Sequence, residues 1–338
     1  MAQRPFRIAT YNVEWFFKLF DDAGTLLCDD GWSGRWNVTR QAQIDALTTV
    51  FQALDADAVL IVEAPDTSRG RDGSIALRNF AAHAGIRARE VLVGFPNDTQ
   101  QELMLLFDPD VLSARHDPRD AGAPRFDGEF AIDLDIDAQE DLVRFSKPPL
   151  EAALDTPVGP IRLIGTHVKS KAPHGAVTDA DVMRMAIANR RKQLAQCIWL
   201  RRRVEAHLDA GEALIVAGDL NDGPGLDEYE ALFGRSGLEI VLGSDGAPER
   251  RLFDPHAAQA LQSKLSAAPT TSRFFKRHEN RYLQALLDYV MVSPNLRARA
   301  QRWHIWHPFD DPECWSRADL REALLTASDH FPVSLDLI

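Results

Sequence analysis

Residues 213–222 read ALIVAGDLND, and the two halves of that stretch differ in kind. Leu214, Ile215 and Val216 form a short apolar run that suits a buried strand, and the polar Asp219 and Asn221 follow where that strand would end. The same pattern recurs outward along the chain. Asn12 and Glu14 follow RIATY, Glu63 follows VLIV, His167 follows RLIGT, Asp288 follows ALL, and Asp329 with His330 opens the closing FPVSLDLI. Between the first two strands Ile44, Leu47, Phe51 and Leu54 recur at helical spacing, and SIALRNFAAHAG reads as a second helix ending at Gly85. REVLVGF, ELMLLFDP, VRFSKPPLEAAL and PIRLIGTHV then follow as strands with no helix between them, which implies antiparallel pairing rather than a purely parallel sheet. A long helix is predicted from about Asp179 to His207, with Leu194, Cys197, Ile198, Val204 and Leu208 as its buried stripe. Its other face is basic, carrying Arg190, Arg191, Lys192, Arg201, Arg202 and Arg203. The expected architecture is two sheets packed face to face with helices outside, in one domain over residues 1–338.

Composition narrows the functional classes. With 45% apolar and 26% charged residues among 338, the chain has the make-up of a globular protein with a large core. Cys28, Cys197 and Cys314 lie far apart with no CxxC pair, so neither a disulfide framework nor a cysteine zinc cluster is implied. The opening MAQRPFRIATYNV lacks the apolar stretch and cleavage site of a secretory signal, and no segment is long enough to span a bilayer. A cytoplasmic protein without a membrane partner is expected. The net charge of −12 argues against binding polyanions simply by being basic. It leaves room for a phosphorylated substrate, because screening over about 8 Å lets a local cluster of Lys and Arg outweigh a distant negative surface.

Strand ends in layered α/β proteins converge on one rim, where ligands bind. Any single polar residue there is explained as well or better by a turn or a cap, and GDLND by itself could be a turn. Together they would deliver carboxylates, amides and imidazoles to one place. Such a donor set, rich in oxygen and poor in sulfur, suits Mg²⁺ or Mn²⁺. Metal-assisted phosphoester hydrolysis needs those parts: a cation, a group to orient water, and donors for the phosphoryl oxygens.

TYNVE, LIVEA, GTHVKS, AGDLND, LDYVMVS and SDHFPV, in that order from Asn12 to Pro332, resemble the motifs of the endonuclease/exonuclease/phosphatase superfamily, typified by DNase I. KPPL, HVKSK and the Arg-bearing helix look most like its bacterial DNA-degrading members. The resemblance implies a four-layer αββα sandwich of two packed mixed β-sheets flanked by helices. It implies Glu63 as principal metal ligand, with Asn12, Glu14 and Asp329 also at the metal. Asp219 matches the residue that orients or deprotonates the attacking water, supported by Asn221. His330 matches the histidine that contacts the scissile phosphate, Asp288 the carboxylate that orients it, and His167 a group that stabilises phosphoryl charge or assists the leaving group.

The chain also departs from that pattern. Val62 stands where many members carry Gln, so a polar contact near the metal is expected to be missing. DDAGTLLCDDGWSGRWNV and the tryptophan-rich stretch before the last strand break the rhythm, and read as insertions near residues 20–37 and 295–327 that reshape the substrate groove. Arg144, Lys147, Lys169 and Lys171, joined by Arg190 from the long helix, offer a phosphate-tracking edge, although each alone is equally well explained as solvated surface. Trp303, Trp306 and Trp315 offer faces for base stacking, although core or loop anchors are the commoner role. His304 and His307 lack a third ligand for zinc, and His83, His116, His174 and His207 read as surface or local-structure residues. The expected function is a divalent-metal-dependent phosphodiesterase acting on nucleic acid, with DNA favoured. The alternatives are a phosphatase or phospholipid phosphodiesterase with the same chemistry and, in a different class, an inactive binding scaffold.

Overall fold

Apolar runs of five to nine residues become strands here because their neighbours on both faces are also apolar. The computed structural model describes residues 4–68, 70–133, 139–173, 175, 178–224, 233–262, 268–276 and 280–338; His174 lies outside them. In chain order the elements are β1 (Phe6–Asn12), α1 (Arg40–Leu54), β2 (Ala58–Ala64), α2 (Gly73–Ala84), β3 (Glu90–Val93), β4 (Glu102–Phe107), β5 (Ser113–His116), β6 (Phe130–Ile132), β7 (Asp141–Val143), β8 (Leu150–Thr156) and β9 (Gly159–His167). They continue with α3 (Asp179–Asp209), β10 (Leu214–Asp219), α4 (Gly237–Leu242), α5 (Pro255–Gln262), β11 (Ser272–Lys276), β12 (Arg281–Ala285), β13 (Asp288–Val292), α6 (Pro294–Arg297), β14 (Ala300–Ile305), α7 (Pro312–Ser316), α8 (Ala318–Ala327) and β15 (Val333–Leu337).

Two mixed sheets carry the fold. One has six strands in the order β14-β15-β1-β2-β4-β3, and the other five in the order β13-β10-β9-β8-β5. Each contains a single parallel pair, β1 with β2 and β9 with β10, and the remaining ladders are antiparallel. Alternation along the strands sorts the side chains into layers. On β1, Ile8 points between the sheets with Leu60, Leu105, Leu163, Ile215 and Val290, whereas Ala9 and Tyr11 face outward onto α1, α2 and α8. On the second sheet Ile164, Val216 and Met291 face outward onto α3, α4 and α5. The result is a four-layer αββα sandwich. Gly165 makes the close approach of the sheets feasible, since a Cβ there would lie 2.5 Å from Leu60 Cδ1.

Three expectations are corrected. VRFSKPPLEAAL is not one strand: the chain leaves β7 at Val143 and resumes as β8 at Leu150, because Pro148 and Pro149 have no N–H to offer a ladder. The stretch 295–327, which breaks the rhythm in sequence, is regular structure: it supplies β14, α7 and α8, and Leu320 and Leu324 of α8 are buried against the layer formed by α1. The basic side of α3 is solvated only in part: Arg191 and Arg202 are exposed, whereas Arg190, Arg201 and Arg203 are buried. Arg203 lies at 3.3 Å from the equally buried Glu151, and Arg201 donates to the carbonyls of Val241, Leu242 and Arg250. Trp306 is a buried anchor whose Nε1 donates to Ser334 Oγ, and Trp303 Nε1 donates to the Val290 carbonyl. Among the described residues no helix is long and apolar enough to cross a membrane.

Candidate active site

Strand register creates the site. Asp219, the last residue of β10, stands opposite Asp288 on one neighbour and His167 on the other. Gly218 precedes it at φ 124°, where a Cβ would meet the Thr166 carbonyl oxygen at 2.2 Å, so only glycine lets the strand end there. The Asp219 carboxylate is buried and well held. Its Oδ1 accepts the Asn221 backbone N–H at 2.6 Å, and its Oδ2 accepts the amides of Asn12 at 3.1 Å and Asn221 at 3.2 Å. Asn221 sits at φ 50°, and its amide also donates to the Val168 carbonyl, which ties the end of β10 to the end of β9. Burial, and then the charge of Asp288, push the Asp219 carboxyl up to about 7, against the opposing pull of His330.

Asp288 Oδ2 lies 2.7 Å from His330 Nδ1 and accepts Thr271 Oγ1 at 2.8 Å. Thr271 Oγ1 in turn accepts the backbone N–H groups of Leu287 and Asp288. Because the carboxylate accepts from Nδ1, that nitrogen carries the proton and Nε2 is left for another partner. Burial alone would lower the His330 pKa; the charges of Asp288, Asp219 and Asp329 outweigh it and hold the imidazolium well above its ordinary range. Asp219, Asp288 and His330 each offer one ligating atom within 4.8 Å of the others.

A second group of carboxylates adjoins this one. The β2–β4 ladder shifts register between Val62 and Ala64, and Glu63 takes φ 64°, so the bulge turns its side chain away from the sheet. Its Oε2 accepts the Gln101 amide at 2.5 Å. Glu14 follows the end of β1 and is paired with Arg35, while its backbone N–H donates to Ser328 Oγ. Ser328 also donates to the Asn12 carbonyl and accepts the His330 N–H, stapling the Asp329–His330 segment to β1. Burial and the nearby Asp329 push Glu14 up to about 7, with Arg35 opposing. Glu63 is raised by burial and Asp329 against Lys147 and His330.

On the far side of Asp219, His167 Nε2 lies 3.8 Å from Asp219 Oδ2, and Lys147 Nζ lies 3.2 Å from His167 Nδ1. Burial, followed by the adjacent Lys147, drives His167 well below its usual range, so it is neutral. Burial lowers Lys147 against the pull of Glu63 and Asp219, and Lys147 Nζ donates to Gln101 Oε1.

The structure therefore gathers Asn12, Glu14, Glu63, Lys147, His167, Asp219, Asn221, Asp288, Asp329 and His330 around one centre, with the half-buried Lys169 close enough to lower Lys147. Arg144, Lys171 and Arg190 have other surroundings. Arg144 is exposed and paired with Glu129, whereas Lys171 and the buried Arg190 both donate to Asp222 Oδ1, at 2.6 and 2.8 Å. Arg190 is thus withdrawn from solvent instead of lining an open edge. Arg35, Gln101, Thr271 and Ser328 are site residues that sequence reading missed; each is a single polar residue inside a turn or loop, with no spacing that marks it.

The donor set fits a hard divalent cation. Glu14, Glu63 and Asp329 converge where burial and mutual repulsion hold Glu14 and Glu63 above the usual carboxylate range, and the buried Asn12 Oδ1 accepts no hydrogen bond from the described residues.

Comparisons with known proteins agree with this architecture. The model of the Endonuclease/Exonuclease/phosphatase family matches residues 9–330. No curated protein matches the chain. Among solved structures, truncated Caenorhabditis elegans TDP2 superposes with a TM-score of 0.51 at 13% identity, covering 98% of this chain and 97% of that one. A humanized D. rerio TDP2 does so with a TM-score of 0.51 at 12% identity, covering 98% of each. At such identities the likeness is one of fold.

Proposed function

The chain belongs to the Endonuclease/Exonuclease/phosphatase family, and from that premise we propose that it is a divalent-metal-dependent phosphodiesterase that hydrolyses nucleic acid, DNA in particular. The observation that carries this is the junction of strand ends where Asp219 faces Asp288 and His167 in register and Asp288 grips His330 at 2.7 Å.

Asp219 is the proton acceptor for the attacking water. Its carboxyl is raised to about 7, near the pH at which a base works best, and the Asn12 and Asn221 amides fix its orientation. His330, kept cationic by Asp288, donates from Nε2 to a phosphoryl oxygen. Lys147 and the neutral His167 stand on the other side of Asp219 and donate to the charge that develops as the P–O bond breaks. Glu63, Glu14, Asp329 and Asn12 are the residues that would hold Mg²⁺ or Mn²⁺. When bound, that cation offsets negative charge on the phosphoryl group.

Nucleic acid is favoured by aromatic faces close to the catalytic groups. Trp15, 39% exposed, donates from Nε1 to Glu14 Oε1, and Phe274 packs edge-on to His330 at 5.4 Å. Such faces suit stacking on bases, and Lys147 with Lys169 supplies positive charge for the backbone. The deciding experiment is a panel of duplex DNA, single-stranded DNA, RNA, abasic duplex, inositol phosphates and sphingomyelin, each with Mg²⁺, Mn²⁺ or EDTA. Chelator-sensitive cleavage of DNA is expected. Turnover confined to phosphomonoesters or lipid overturns the substrate assignment, and binding without turnover makes the chain a scaffold.

A further inference from the structure

A second constellation of ligating side chains lies in residues 304–314 and shares no residue with the proposed catalytic centre. His304 near the end of β14 places Nε2 at 2.8 Å from Asp311 Oδ2. Asp311 precedes α7, and its other oxygen accepts the Cys314 backbone N–H at 2.9 Å. One nitrogen of His304, one oxygen of Asp311 and the sulfur of Cys314 all lie within 4.8 Å of one another. His304 and Cys314 are buried, and the Asp311 side chain keeps 14% of its exposure, which leaves a path for an ion to enter.

The chemistry of this set differs from that of the catalytic centre. Thiol sulfur, imidazole nitrogen and one carboxylate oxygen form the mixed donor set of zinc, whereas magnesium and manganese prefer oxygen throughout. The carboxylate of Glu313, adjacent to Cys314, acts electrostatically on both His304 and Cys314, and a water can complete the coordination. His307, three residues after His304, is already engaged: its Nδ1 accepts the N–H groups of Phe309 and Asp310, and its Nε2 contacts Thr270 Oγ1. We propose that His304, Asp311 and Cys314 bind a thiophilic divalent cation of the zinc class. Binding forms a metal–sulfur bond and releases the thiol proton to solvent. The ion would pin β14 to α7 just before α8, the helix that leads into Asp329 and His330.

The test uses the full chain carrying Cys28→Ser, because Cys28 is an exposed thiol that could bind metal on its own account. After removal of metal with a chelator, Co²⁺ is added up to an equimolar amount. An intense thiolate-to-cobalt charge-transfer band is expected, displaced by Zn²⁺. That band is lost when Cys314→Ser is added, and weakened by His304→Gln in a protein that circular dichroism shows to be folded. No band in the folded Cys28→Ser protein, or an undiminished band with Cys314→Ser or His304→Gln, overturns the site. Because the two centres share no ligand, phosphodiesterase activity measured with Mg²⁺ reports on the catalytic proposal separately.

Discussion

Replacing Asp288 by Asn removes one charge from a buried pair while keeping the shape and an acceptor for Thr271. In the native protein His330 sits at 2.7 Å from the Asp288 carboxylate, and its folded-state pKa is well above the ordinary 6.5. A histidine raised in this way contributes stability that is fully present below its unfolded pKa and is lost as pH rises through the folded value. In the variant only burial and the more distant carboxylates remain, so the folded pKa falls and protonation favours folding less than it did. Stranding one member of a buried ion pair costs about 3–5 kcal/mol. The imidazole can escape part of that by shedding its proton, so the full difference is expected only near pH 6 or below, and it should shrink towards pH 10. Urea unfolding of metal-free protein across that range gives the comparison directly. Hydrolysis should fall by about 10²–10³-fold, the usual cost of losing one preorganised donor to developing charge. Native and variant stability curves running parallel from pH 6 to 10, with activity intact, would refute the pairing as the source of both effects.

Three further outcomes are expected. Glu14 and Asp219 are raised to about 7, so the metal-free protein should lose stability as pH rises from the unfolded carboxylate range through neutrality. Mg²⁺ should then raise Tm more at pH 7.5 than at pH 5.5, since it competes with protons for Glu14 and Glu63, both raised; equal gains at both would contradict the ligand assignment. Gln101→Ala removes the amide on Glu63 and the acceptor for Lys147, and should weaken Mg²⁺ binding or turnover by about 10–100-fold, as loss of a ligand's supporting hydrogen bond does. An unchanged Mg²⁺ titration together with unchanged turnover would remove Gln101 from the site. Gly165→Ala forces a methyl against Leu60 and should cost about 1–3 kcal/mol, and Leu60→Ala about 2–5 kcal/mol. The double variant should be more stable than the sum of the two costs allows, whereas strict additivity by denaturant unfolding would mean that the sheets do not meet there.

The layers were legible because they follow from local pattern. β1, β2, β9, β10, β13 and β15 are short apolar runs whose polar ends could be seen in the sequence, and the helical spacing of Ile44, Leu47, Phe51 and Leu54 placed α1. What remained hidden depends on partners far along the chain. Arg190 reads as a surface charge on a helix until Asp222, 32 residues on, is found buried beside it. Arg203 reads the same way until Glu151 is brought in from β8. A buried guanidinium leaves no periodic trace, because its charge is offset by a residue that sequence spacing does not predict.

Position 62 shows the same limit at the proposed catalytic centre. Val62 points into the core between the sheets, where a Gln amide would have to be buried, and the bulge that follows it carries Glu63 out to the rim alone. An amide still reaches the carboxylate, from Gln101, which immediately precedes β4, the neighbour of β2. Because Gln101 also accepts from Lys147, it links a proposed metal ligand to the cation beside His167, which an amide at position 62 on the core side of the sheet would not do. Introducing a glutamine there with Val62→Gln should therefore not compensate for loss of Gln101. It should destabilise the fold by about 1–3 kcal/mol, through an amide buried among Leu60, Leu103 and Leu150, and added to Gln101→Ala it should leave the Mg²⁺ titration as weak as before.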